Sequence, residues 1–161
     1  MISQFKGRYE FLDPAYYCLA EYDGELYNSA EAAFLAAQFD SAYFRSMFRN
    51  PVLPIWRARE LAKKLQRRRD WTPELALAIM RQLTLEKFSR TPKLCTALLA
   101  TCDERIVAEN TWHGQFWGSC ICATQPGKYG RRSTCSVPGS NHLGDILMSV
   151  RSQFSTVARA G

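Results

Sequence analysis

Residues 27–39 have the sequence YNSAEAAFLAAQF, which carries the clearest local structural signals in the chain. Ser29 is a good N-cap, and apolar residues follow it at the i, i+3, i+4 and i+7 spacing of one helix face. This spacing predicts a helix from Ala30 to about Phe39. Glu31 falls in its first turn, where unpaired backbone N–H groups favour a carboxylate.

Further apolar stripes predict a helix-rich chain. One helix is predicted from Pro54 to Arg68, two more begin where Thr72 and Thr91 each precede a proline, and a closing helix carries its stripe from Leu143 to Phe154. Loops with short strands are expected at residues 5–27, a short strand at residues 105–109, and a long irregular stretch at residues 110–141. The fold class predicted is α+β, helix-rich with a few short strands.

The composition indicates one soluble domain. The chain has 161 residues, 47% of them hydrophobic and 22% charged, which excludes intrinsic disorder and suits a single domain over residues 1–161. No apolar run reaches the ~18 residues of a membrane span, and the N-terminus lacks the apolar core of a signal peptide. A cytoplasmic protein without a membrane partner is therefore expected. The net charge of +6 favours an anionic partner.

The six cysteines are predicted to be reduced thiols, because so long a chain needs no disulfide staples. Ligand-type residues do occur in the irregular stretch, but their spacing differs from that of structural zinc sites. They are His113, Cys120, Cys122, Cys135 and His142. We therefore predict small buried cysteines, with no metal and no cofactor.

Two segments are candidates for chemistry. Glu31 could activate water or stabilise a cationic transition state, although complementing the helix dipole is the better-supported explanation of this residue taken alone. In the irregular stretch, Asn110, Trp112 and Trp117 suit a planar, hydrogen-bonding ligand such as a nucleobase. The alternative is that both tryptophans are core anchors beneath a long loop, and the segment alone does not decide between the two.

Basic residues are concentrated between Arg57 and Arg69. Such a run is usually a solvated helix face, but its one-sided charge also fits contact with a phosphate backbone. Arg68 and Arg69 could instead bind the terminal phosphate of a small substrate. Residues 139–144, ahead of the last helix, are a weaker phosphate-binding candidate.

Read in order, these segments resemble the NADAR (YbiA-like) family over nearly the whole chain. The resemblance is carried by residues 5–7, 11–12, 23–34, 69–71, 98–101, 109–112, 116–118 and 141–151, together with Met80 and the pair Lys87-Phe88. No single segment is decisive, but their shared order and spacing make the match strong.

The resemblance implies an N-glycosidase that cleaves the bond between ribose and a nitrogen base. The substrates implied are ribosylaminopyrimidine phosphates of riboflavin metabolism, or ADP-ribose attached to guanine, including on nucleic acid. Glu31 matches the family's acidic residue, and Glu109 is a candidate for a second carboxylate role. The residues expected to contact the substrate are Tyr27, Trp71, Lys87, Asn110, Trp112, Trp117 and Asn141.

The chain departs from the family pattern at two positions. Gln38 stands where many members have lysine, and Gly114 stands where one form of the loop motif has aspartate. Loss of a cation and a carboxylate leaves open an altered substrate choice, a weakened enzyme, or a non-catalytic module that binds ADP-ribose or another nucleotide. The basic run from Arg57 to Arg69 leaves open a further alternative, a basic nucleic-acid-binding domain.

Overall fold

The structure is a computed structural model, and it describes residues 1–122, 135 and 138–160, without the side chains of residues 158–160. The chain divides into two units: residues 11–98 form one, and residues 1–10 with 99–161 form the other. The helix-rich α+β class is confirmed. The prediction of a single domain over residues 1–161 stays a prediction.

The Phe11–Leu98 unit begins with a hairpin and continues with helices. Its elements are β1 (Ala20–Tyr22), β2 (Glu25–Tyr27), α1 (Ala30–Ala37), α2 (Ala42–Met47), α3 (Ile55–Lys64), α4 (Pro73–Arg90) and α5 (Pro92–Leu99), whose last residue belongs to the other unit. The antiparallel hairpin turns at Asp23 and Gly24, whose φ angles of 52° and 75° suit a two-residue primed turn. A 3₁₀ helix, Gly7–Leu12, leads into this unit.

Helix α1 lies at the centre of this unit, and nearly all of it is buried. Ser29 caps it as predicted, since its Oγ accepts a hydrogen bond from the Ala32 N–H at 3.1 Å. Ala33, Ala36 and Ala37 are fully buried, so that neighbouring elements approach the helix backbone closely. Among the residues of α1, only Glu31 is partly exposed, and the others are buried.

The predicted start of α3 is confirmed, but its predicted end at Arg68 is wrong. The helix ends at Lys64, and Leu65 is already extended. A tertiary contact explains the early end, because the Arg68 N–H donates to the Gln38 carbonyl at 2.8 Å and draws the segment towards α1. Helix α2 was not predicted at all, since none of its residues is buried and it lacks an apolar stripe.

The second unit contains short strands and the closing helix. Strands β3 (Glu109–Asn110) and β4 (Ser119–Cys120) pair in parallel, and α6 runs over His142–Ala160. The strand predicted at residues 105–109 is reduced to an isolated bridge between Ile106 and Ile2, with β3 just after it. The apolar stripe of α6 is buried at Leu143, Ile146, Leu147 and Val150. None of the described helices has the length and apolar character needed to cross a membrane.

Candidate active site

Helix α1 and its C-cap residue Gln38 present three side chains along one face: Glu31, Phe34 and Gln38, at the i, i+3 and i+7 positions. From Glu31 to Gln38 the helix axis rises about 10 Å. We call these residues, together with Arg59 and Trp71, the α1 face. It lies wholly within the Phe11–Leu98 unit.

Glu31 begins the α1 face and is held by an arginine from α3. Arg59 donates from Nε to Oε1 at 2.5 Å and from its terminal nitrogen to Oε2 at 2.7 Å. The Glu31 side chain is 15% exposed, whereas that of Arg59 is 49% exposed. The hydrogen bond to Glu31 raises the pKa of Arg59, against a smaller opposing effect of burial. The result is a carboxylate that is fixed in direction, partly shielded from water and reachable from solvent.

The segment after Leu12 covers the start of α1. The Pro14 carbonyl accepts from the Glu31 N–H at 2.9 Å, and the Asp13 carbonyl accepts from Lys87 Nζ at 2.8 Å. The Asp13 carboxylate accepts from the Ala15 N–H and is close enough to Arg59 and Lys87 to stabilise both of their charges. Asp13 is thus a second carboxylate near the Glu31–Arg59 pair, in a stretch where the sequence predicts only loops with short strands.

Lys87, predicted to contact substrate, is almost completely buried. Lys87 is only 2% exposed. Its ammonium lies 5.5 Å from the centroids of the Tyr16 and Phe88 rings. Burial lowers the pKa of Lys87 to about 8. Nearby Cys18 has a raised pKa, also because of burial. The structure therefore places Lys87 as an internal cation against the Asp13 carbonyl.

The middle and far end of the α1 face are aromatic and polar. Trp71 makes an edge-on contact with Phe34, with ring centroids 5.5 Å apart. Gln38 is 3% exposed, and within the described part of the chain its Oε1 has no hydrogen-bond partner. A buried amide oxygen without a donor is costly, and such exceptions are often found where a ligand binds.

The two predicted phosphate-binding arginines differ in their surroundings. Arg68 donates to both Asp70 carboxylate oxygens, at 2.6 and 2.8 Å, and this pairing raises its pKa. Arg69 is exposed. Tyr27, predicted to contact substrate, is instead 1% exposed at the end of β2, and burial raises its pKa.

In the other unit, the two predicted amides are used to shape the backbone. Asn110 donates to the Gly114 carbonyl at 2.6 Å and accepts from the Gly114 N–H at 3.0 Å. Asn141 accepts from the Ala108 N–H at 2.9 Å and donates to the Ile106 carbonyl at 3.0 Å. Both residues are buried. Their amides thus clamp residues 106–114, which favours a structural role for each.

The tryptophans of this unit also differ from each other. Trp112 is 75% exposed, so one face of its indole is free for stacking. Trp117 is partly buried, and its ring lies edge-on to Phe116 with centroids 4.9 Å apart. Glu109 lies in β3 and is partly buried. A Cβ at Gly114 would lie 3.0 Å from Trp112 Nε1, so the indole would have to shift slightly to admit any other residue.

Among the ligand-type residues predicted not to bind metal, the three cysteines are buried, His113 is exposed and His142 is half-buried. Four of the five are not scattered. His113 and the thiols of Cys120, Cys122 and Cys135 place their ligand-type atoms within 4.8 Å of one another. Spacing along the sequence gave no sign of this grouping, because Cys135 is far from the other three along the chain.

Two of three comparisons with known proteins found a match. The model of the NADAR domain matches residues 2–155. The NMR structure of the Escherichia coli protein YbiA superposes with a TM-score of 0.75 at 22% identity, covering 99% of this chain and 86% of that one. No curated protein matches the sequence. At this identity the YbiA likeness shows the fold alone, but the family model covers most of the chain, which therefore belongs to the NADAR family.

Proposed function

We propose that this protein is an N-glycosidase that hydrolyses the bond between C1′ of a phosphorylated riboside and the nitrogen of its base. The NADAR family is associated with glycosidase activity. The observation that carries the proposal for this chain is the Glu31 carboxylate, which is 15% exposed and held on both oxygens by Arg59.

The reaction needs a negative charge near C1′. As the C1′–N bond breaks, its electron pair leaves with the base and the ribose gains oxocarbenium character. Water then forms the new C1′–O bond and loses a proton, and the nitrogen of the departing base takes a proton up. A carboxylate in a partly dehydrated position stabilises such a cation more strongly than one in bulk water.

Glu31 fits the stabilising role better than the role of sole base. Both of its oxygens accept from Arg59, which fixes the carboxylate and still leaves lone pairs free to face a cation. Asp13 is our candidate for the group that orients or deprotonates the water, because it belongs to the same charged cluster. Arg59 acts as a positioning residue, since it works through Glu31.

The rest of the α1 face supplies groups for the remainder of a nucleotide. Trp71 and Phe34 offer aromatic surface, and Gln38 Oε1 is an acceptor that a ribose hydroxyl or a base N–H would satisfy. Arg69, with Arg68 after exchange of its Asp70 partner, is the candidate for phosphate. We propose no phosphate contact for Lys87, because its ammonium is buried.

The two substrate classes expected from the family remain the candidates. One is a ribosylaminopyrimidine phosphate, and the other is ADP-ribose on guanine, free or in nucleic acid. The basic run gives less support to binding of unmodified nucleic acid than its composition suggests. Three of its cations are already paired, Arg59 with Glu31, Lys63 with Glu60, and Arg68 with Asp70.

The test is turnover of both substrate classes by the wild-type chain and by Glu31→Gln, with released base measured over time. We expect one class to be hydrolysed, and Glu31→Gln to reduce kcat by about 100-fold or more. Glu60→Gln is the matched control, because Glu60 forms an exposed ion pair on α3 and should leave kcat within about twofold.

Two results would contradict the proposal. Equal turnover by wild type and Glu31→Gln would exclude the role of Glu31. Tight binding of either substrate with no base released over long incubation would favour the nucleotide-binding module instead.

A further inference from the structure

Three thiols and one imidazole converge at a point in the second unit that the proposed glycosidase does not use. His113 Nδ1 lies 3.5 Å from Cys122 Sγ, 3.5 Å from Cys135 Sγ and 3.8 Å from Cys120 Sγ. All four atoms lie within 4.8 Å of one another. The three cysteines are buried, whereas His113 is exposed.

The three nitrogen–sulfur separations match those of a tetrahedral metal site. With Zn–S near 2.3 Å and Zn–N near 2.05 Å, a tetrahedral angle places nitrogen and sulfur about 3.6 Å apart. The three measured separations are within 0.2 Å or so of that value. One imidazole nitrogen can form a hydrogen bond with one thiol at this distance but not with three, and three thiols cannot all be paired in disulfides.

The local backbone is shaped to bring these atoms together. His113 has a left-handed backbone, with φ 64°, a conformation uncommon for residues other than glycine. Strand β4 and the turn after it deliver Cys120 and Cys122, and the Cys122 N–H donates to Cys120 Sγ at 3.4 Å. A backbone N–H that points at a sulfur stabilises a thiolate, which is the form that ligates a metal.

We propose that His113, Cys120, Cys122 and Cys135 bind one Zn²⁺ ion in a tetrahedral, structural site. Soft thiolates with one imidazole suit zinc, and the cluster lacks the oxygen ligands that magnesium and calcium require. Four protein ligands leave no open position for water or substrate, so the site is structural rather than catalytic.

The ion would fasten the loop that carries Trp112. His113 is the next residue in the chain, and Cys135 belongs to a segment far from it in sequence. Joining them restrains the same backbone that the Asn110 amide clamps at Gly114. This inference is independent of the proposed glycosidase, because it concerns other residues and predicts metal content rather than turnover.

The first experiment measures zinc in the full-length chain by mass spectrometry after purification under reducing conditions. We expect about one zinc per wild-type chain and per Cys102→Ser or Cys95→Ser control chain, since these two thiols lie outside the cluster. Cys120→Ser and Cys135→Ser should lose most of the metal. Zinc retained fully by both of these variants would overturn the proposal.

A second experiment does not depend on whether these variants fold. Wild-type chain from which metal has been removed with a chelator is titrated with Co²⁺, and the visible spectrum is followed. We expect the intense absorption of tetrahedral thiolate-bound cobalt, its displacement by zinc, and a higher Tm on metal addition. His113→Cys should keep the metal as a four-thiolate site. A wild-type chain that takes up neither metal, or in which two cluster thiols form a disulfide under the same conditions, would contradict the site.

Discussion

The α1 face and the loop of residues 106–122 both contain polar residues predicted to meet substrate, but the two regions use them differently. Glu31 is fixed by another side chain and keeps access to solvent, and Gln38 Oε1 stays unpaired within the described residues. The Asn110 amide within this loop and the Asn141 amide, which lies outside it, both bond to backbone groups of the loop. Polar atoms already committed to the backbone build the fold, whereas those left oriented but accessible are available for chemistry.

The largest effect should come from crowding the loop at Gly118. A Cβ at this position would lie 2.0 Å from the Ala108 carbonyl oxygen, so the backbone must move. We expect Gly118→Ala to lower the free energy of unfolding by more than about 3 kcal/mol, measured by urea denaturation.

Gly24→Ala separates crowding from backbone strain. Gly24 has φ +75°, but a Cβ added there would meet nothing within 4 Å, so only about 1–2 kcal/mol should be lost. Equal losses in the two variants would contradict the close packing inferred at Gly118.

Asn141→Ala tests the amide clamp directly. It leaves the Ala108 N–H and the Ile106 carbonyl without partners in a partly buried setting, and alanine also disfavours φ 55°. We expect a loss of about 3 kcal/mol in unfolding free energy. Asn141→Asp keeps the acceptor for Ala108 and tolerates the backbone angle, but it turns a buried carboxylate oxygen towards the Ile106 carbonyl that the amide donates to, so its loss should be at least as large. A loss below about 1 kcal/mol in both variants would count against the clamp.

Lys87 makes stability depend on pH. Between about pH 8, where the folded chain releases this proton, and pH 10.5, the ordinary pKa, the unfolded chain binds more protons. The free energy of unfolding should therefore rise with pH across this interval, by up to about 3 kcal/mol relative to Lys87→Met. Parallel pH profiles for the two proteins, measured by chemical denaturation, would show that the ammonium is not buried in the folded chain.

The smallest effect should come from the cap of α1. Ser29→Ala removes a buried hydrogen bond to the Ala32 N–H and should cost about 1 kcal/mol. Ser41→Ala removes the exposed and longer cap of α2, at 3.4 Å, and should cost less in the same thermal or urea measurement. The reverse order would contradict the central position of α1.

Local signals predicted the helices well, because a cap and an apolar stripe lie within a few residues of each other. Ser29 and Thr72 cap their helices as expected. Contacts between distant residues were not predictable in this way. The basic run gives no sign that Arg59 pairs with Glu31, and the stretch around Asp13 is predicted only as loops with short strands. The sequence around His113 gives no indication that three thiols surround it.

The roles of the site residues stay predictions, and the surroundings of each side chain favour some roles over others. Burial and hydrogen bonding favour structural roles for Tyr27, Lys87, Asn110 and Asn141. Exposure and orientation favour Glu31, and they leave Trp112 available to stack on a base.

The central claim is that the chemistry resides on the α1 face and not in the loop amides. Its most direct test is kcat per folded molecule for Glu31→Gln beside Asn110→Ala, with the folded fraction of each taken from its melting curve. We predict that Glu31→Gln keeps a Tm close to wild type and loses about 100-fold or more in kcat, whereas Asn110→Ala lowers Tm and keeps most of its turnover. Full turnover by Glu31→Gln, or its loss in well-folded Asn110→Ala, would contradict the account.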